Sequence, residues 1–140
     1  MRRLARENVI KFIFEKLVNG YENEVTYETF MEELSDDPKV YFESVVEGVN
    51  SKFDYLKNTI AGYATAYHED RLYKLDLAIM LVASYEILFT DIPDKVSVNE
   101  AVEIAKIYST DKSPSFINGI LAVVIKNKTE LVENYVSENN

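Results

Sequence analysis

Residues 72–89 read LYKLDLAIMLVASYEILF, and between Asp76 and Glu86 stand nine residues without a charge, LAIMLVASY. A helix on a protein surface carries its apolar residues on one stripe. One that is apolar around its circumference must be covered on several sides. The run is too short to span a bilayer, which takes about 18 or more uninterrupted apolar residues. It therefore predicts a central buried helix over 72–89, and with it a small helical domain.

The rest of the composition agrees. The chain has 140 residues, 47% of them hydrophobic, which suits one compact domain or two small subdomains sharing a core. Only four Gly and three Pro occur, too few for a turn-dense β fold. The absence of Cys removes disulfides, thiolate metal sites and a Cys nucleophile, and a single His makes a transition-metal site improbable. No cofactor is expected. The N-terminus is basic but has no long apolar run behind it, so neither a signal nor a membrane anchor is predicted and the cytoplasm is the expected location. The net charge of −9 argues against a chain that is basic over its whole surface, and leaves room for a local basic patch.

Taken in order, the first helix opens MRRLAREN and continues VIKFIFEKLVNG. Ala5, Val9, Phe12, Ile13 and Leu17 share its core face; Arg3, Glu7, Lys11 and Phe14 share the opposite stripe. Asn19-Gly20 is the expected stop. Arginines in a first turn oppose the helix macrodipole, at about 0.3–1 kcal/mol each. Cations beside an exposed ring suit a polyanion with stackable bases, which is single-stranded nucleic acid. Solvated arginines over a packed Phe14 are the plainer alternative. Thr26 is expected to cap a short second helix with Phe30, Met31 and Leu34 as its contacts. Asp37 is expected to cap a third, with Pro38 at the first helical position. That third helix carries Val40, Tyr41, Val45 and Val49, has a possible break near 48–50, and continues through Phe53, Leu56, Ile60 and Tyr63. His68 stands in a weak boundary and reads as a solvated link residue.

Beyond the central helix, Ser97-Val98-Asn99-Glu100 has capping-box spacing, and Ala101, Ile104, Ala105 and Tyr108 share one face of the helix it would start. Ser113 and Pro114 predict another start, followed by Ile117, Ile120, Leu121 and Val124 at core spacing. The end, VSENN, reads as a frayed tail. The outcome is an all-α chain of about seven helices.

Three blocks then resemble the NusB family of bacterial antitermination factors: RRLAREN at 2–8, LDLAIMLVASYEIL at 75–88, and PDKVSVNEAVEIAKIYSTDKSPSFINGIL at 93–121. The resemblance implies two small helical bundles packed on each other, here 1–66 and 67–140, forming one compact domain. It implies a non-enzymatic adaptor that binds the boxA sequence of nascent ribosomal RNA together with NusE, a basic small-subunit ribosomal protein, within the RNA polymerase antitermination complex. The family's RNA surface maps onto Arg2, Arg3, Arg6, Lys11 and Phe14, and at the start of the last core helix onto Ser113 and Phe116. A basic residue that often precedes the family's Phe is here Ser115, and Lys112 nearby partly restores the charge. Asp76 and Glu86 match acidic family positions and are expected to contact the protein partner, although Glu86 could instead satisfy internal groups.

Two other readings compete. An enzyme would need a nucleophile elbow, a phosphate-cradling glycine loop or metal-ligand spacing, and the chain has none of these patterns. A protein-only interaction module that keeps the fold without binding RNA is the stronger competitor, because of Ser115 and the net acidity.

Overall fold

The computed structural model describes residues 2–66 and 72–140. His68 lies outside the described residues. Among those described there are eight helices and no strand: α1 (Arg2–Asn19), α2 (Glu24–Glu32), α3 (Asp36–Ser51), α4 (Phe53–Ala66), α5 (Lys74–Phe89), α6 (Asp94–Tyr108), α7 (Ser113–Lys126) and α8 (Lys128–Glu138). None of them is long and apolar enough to cross a membrane.

The expected central helix is α5. Every residue from Asp76 to Ser84 is buried, as are Glu86, Ile87 and Leu88. It packs against α1, α3, α4, α6, α7 and α8, which is why its sequence shows no polar stripe. One core runs through both halves of the chain. It takes Ala5, Val9 and Ile13 from α1, Phe42 and Val49 from α3, Ile104 from α6, and Ile117, Ile120, Leu121 and Val124 from α7.

Chain punctuation follows backbone physics, in places differently from the sequence reading. Gly20 closes α1 at φ +84°, a left-handed conformation costly for any residue with a Cβ, and its N–H reaches Lys16 O at 2.8 Å. The cap of α2 is Asn23, whose side chain accepts from the N–H groups of Val25 and Thr26. Thr26, the expected cap, lies inside the helix and donates to Glu15 at 3.0 Å. For α3 the cap position is Ser35, and Pro38 sits one turn in. It does no harm there, because first-turn N–H groups have no intrahelical partner to lose.

The larger corrections concern α6 and the C-terminus. The expected capping box at 97–100 is not a helix start: α6 begins at Asp94 behind Pro93. That frees Ser97 and Glu100 for tertiary bonds. The break after α3 falls at Lys52 rather than at 48–50. α8 overlaps the expected tail only at 136–138, and of its apolar residues Leu131, Val132, Tyr135 and Val136, Leu131 alone is buried. Aromatic contacts hold it instead. Tyr135 meets Tyr55 and Phe89 edge-on with centroids 5.2 Å apart in each pair, and Tyr55 donates to Leu131 O at 2.7 Å. Lys52 places its ammonium among the rings of Phe89, Tyr135 and Tyr85, at 5.0, 5.4 and 5.9 Å.

Gly48 lets α3 approach α5. A Cβ there would fall 2.1 Å from the Tyr85 ring. The colliding atoms are the far end of that side chain, so in Gly48→Ala the ring swings aside while α3 keeps its place. The expected cost is about 1–2 kcal/mol of stability, read as a lower denaturation midpoint at unchanged slope. A variant as stable as the parent would show that the ring is not confined.

Candidate nucleic-acid interface

The N-terminal arginines divide between two sides of α1. Residues 2 and 6 lie one helical turn apart, as do 3 and 7 and then 11, and the two rows face different neighbours. Arg2 and Arg6 flank the Tyr41 ring of α3, with guanidinium carbons 5.5 and 5.2 Å from its centroid. Arg3 and Lys11 turn toward α6. Lys11 places its ammonium 5.0 Å from the Tyr108 ring, and the Tyr108 hydroxyl donates to Glu7 at 3.0 Å.

Arg6 belongs to the interior. It is 4% exposed and forks onto Glu86, with Nε to Oε2 at 2.9 Å and Nη2 to Oε1 at 3.2 Å. Glu86 is fully buried and also accepts from Tyr41, and from Ser97 at 2.7 Å. A buried carboxylate is tolerable only when its lone pairs are filled in this way. Burial disfavours the Arg6 cation, and Tyr41, Glu86 and Glu100 together more than offset this, so its pKa stands raised. Burial, followed by the Glu86 charge, pushes the Tyr41 phenol well above its ordinary value. Arg6 is thus a buried strut joining α1, α3, α5 and α6.

Asp76 is interior as well, 2% exposed. It accepts from Ser109 at 2.5 Å and from Ser113 at 2.9 Å, and so ties the α6–α7 loop to α5. Ser113, expected as an N-cap, is buried, and its hydroxyl is shared among Asp76, Ser109 and Thr110. Asp76 and Glu86 are both buried and bonded internally, so each has a structural role in the fold. For Glu86 this is the alternative that its sequence context leaves open.

Arg2 is exposed on the Tyr41 side, and the other row is accessible in part. Arg3 pairs with Glu100, Nε to Oε1 at 2.7 Å and Nη2 to Oε2 at 2.5 Å, yet its side chain keeps 35% of its exposure. Lys112 is exposed, and Phe14 and Phe116 are partly buried, each with one side against the core. A cleft of about 460 Å³ lies at the loop, lined by Tyr73, Asp76, Thr110, Asp111, Lys112, Ser113 and Phe116. Tyr108 is the residue that sequence reasoning misplaces. Its spacing puts it on the core face of α6, but it is 43% exposed and bridges the Lys11 side of α1 to the chain just before the loop. Ile107 beside it is 59% exposed, so the core stripe of α6 has already ended there, and no sequence signal marks this.

Glu100 responds to these arginines. The hydrogen bond from Arg3 holds its carboxyl below the usual carboxylate value, and the charges of Arg3 and Arg6 add to this. A carboxylate with a lowered folded-state pKa binds fewer protons folded than unfolded, so its contribution is present above the unfolded pKa and is lost as pH falls through the folded one. Part of the protein's stability should therefore disappear between about pH 5 and pH 3, and Glu100→Gln should flatten that limb. Denaturant midpoints across this range check it; equal acid sensitivity in both proteins would contradict the assignment.

Among the described residues no group of His, Asp or Glu could hold a metal ion. The family model described as the NusB family matches residues 3–126. A transcription antitermination protein NusB from Clostridium novyi is 38% identical over 130 residues, covering 89% of this chain and 98% of that protein. Another from Listeria monocytogenes is 39% identical over 122 residues, covering 86% and 93%. The solved structure of T. maritima NusB superposes with a TM-score of 0.82 at 31% identity, covering 95% of this chain and 97% of that one. A structure of the antitermination factors NusB and NusE in complex with dsRNA shares the fold, with a TM-score of 0.78 at 19% identity, covering 89% and 96%.

Proposed function

The chain belongs to the NusB family, and from that premise we propose that it is a non-enzymatic antitermination adaptor that binds boxA-type single-stranded RNA together with NusE. The observation that carries the RNA part is the bridge through Tyr108, which ties the Lys11 side of α1 to the end of α6, where the chain enters the loop bearing Lys112 and then the start of α7 with Phe116. In this reading the same side of the molecule supplies cations for phosphate and ring faces on which bases stack.

The α7 start contributes less than a free helix end would. The Ser113 N–H is bonded to Thr110 O, Pro114 has none, and the Phe116 N–H reaches Lys112 O. This leaves the Ser115 N–H for a phosphate. In this reading the site residues are Arg3, Lys11, Tyr108, Lys112, Ser115 and Phe116, with Phe14 at the margin. Arg2 flanks them from the Tyr41 side, while Arg6, Asp76 and Ser113 hold them in place. The chain's excess of acidic residues suits a basic ribosomal protein as partner.

The test is a titration of boxA-type single-stranded RNA against a scrambled RNA of equal length, with and without NusE. Sequence-dependent binding that tightens with NusE supports the adaptor. Binding of NusE with no preference for the RNA would replace it with a protein-only module of the same fold.

A further inference from the structure

We propose that Glu100 is a carboxylate lock on the RNA-binding face: in the free protein it occupies the Arg3 fork, and RNA phosphate must displace it to engage that arginine. This rests on the RNA-binding reading above.

The argument is one of competing acceptors. A guanidinium presents parallel N–H donors that fit a carboxylate and a phosphate equally well. In Arg3, Nε and Nη2 are both committed to Glu100, at 2.7 and 2.5 Å. The same carboxylate accepts from Arg6 Nη1 at 3.2 Å, so it is anchored from the protein side and stays beside the face whether or not Arg3 leaves it. Arg6 itself is immobilised by Glu86 and cannot replace Arg3 at the surface. The pair is accessible to solvent on both sides, with side-chain exposures of 35% for Arg3 and 21% for Glu100, so exchange of acceptors requires no unfolding. Glu7 adds a second carboxylate on the same side of α1. The basic face is thus partly neutralised before any RNA arrives.

The consequence runs opposite to the usual effect of altering a residue at a binding face: removing the Glu100 charge strengthens binding. Glu100→Gln is the variant of choice, since the amide keeps the shape and one acceptor. An exposed ion pair of ordinary strength corresponds to a gain of about two- to fivefold in affinity for boxA-type RNA at low salt. If Arg3 then engages one more phosphate, the logarithmic salt slope steepens by about 0.7. The gain must vanish in the Arg3→Ala background, where no fork remains to be released. A merely structural Glu100 would show no such dependence. In the wild-type protein, the Arg3 Nε–H resonance should shift on RNA titration while that of Arg6 stays in place, a readout that does not depend on how well any variant folds. Specific RNA binding by the wild type with unchanged or weaker binding by Glu100→Gln, or with a stationary Arg3 resonance, overturns the lock and leaves the adaptor intact. Absence of RNA binding by both proteins, with and without NusE, overturns the lock and the adaptor together.

Discussion

Glu86→Ala is expected to destabilise the protein by about 3–5 kcal/mol, the usual cost of leaving one member of a buried ion pair alone. Three groups lose their acceptor at once: the Arg6 fork, the Tyr41 hydroxyl and the Ser97 hydroxyl. They come from α1, α3 and α6, so the damage cannot be confined to one helix. Most domains have only about 5–15 kcal/mol in hand, so the variant should unfold far earlier in urea. The double variant Arg6→Met/Glu86→Leu distinguishes pairing from packing. Replacing a buried pair by apolar groups of similar volume is often neutral, so most of the loss should return, less whatever Tyr41 and Ser97 forfeit. A loss below about 1 kcal/mol in Glu86→Ala would mean that water reaches Arg6 and that the pair is not buried.

The second large effect is on binding. Arg3→Ala, Lys11→Ala and Lys112→Ala combined should weaken boxA-type RNA by about a hundredfold at low salt, taking ~1 kcal/mol for each screened bond to phosphate. The logarithmic salt slope should fall by about 2, near 0.7 for each phosphate no longer neutralised. Circular dichroism and melting should stay close to the parent, because all three side chains reach solvent. Arg6 must be left out of such a set: its removal would unfold the protein and imitate a binding defect. Arg2→Ala alone is the internal comparison and should cost little, since Arg2 lies on the Tyr41 side. Undiminished RNA binding by the triple variant would remove this face from the proposal.

The helices were legible where burial writes a strong pattern. The uncharged run at 77–85 and the stripe of Ile117, Ile120, Leu121 and Val124 each have one physical cause, and both are core. Two kinds of feature did not show. Helix starts are ambiguous when several cap-forming residues stand together, as in Asn23 against Thr26, or Ser97-x-x-Glu100 against Pro93. The residue that would have capped a helix bonds at a distance instead, Thr26 to Glu15 and Ser97 to Glu86. The buried polar clusters were equally hidden. Arg6 and Glu86 are 80 positions apart, and nothing in a linear pattern separates an arginine bound for solvent from one bound for a carboxylate across the fold. The family resemblance identified the neighbourhood of the site. Which of its residues face outward depended on the side of α1 that each one occupies, and on packing against α3 and α6 that only the fold supplies.

The lysine among the rings of α5 and α8 gives the protein a built-in reporter. Aromatic ring currents shield protons held over their faces, so the ε-methylene protons of Lys52 should resonate upfield of those of a lysine with no ring beside it. Two of the three rings, Tyr85 and Phe89, are fixed to the central helix, and the third, Tyr135, arrives with the last one. The position of that single NMR signal therefore measures whether α8 is docked. It could follow peeling of the C-terminal helix under heat, truncation or partner binding without any label.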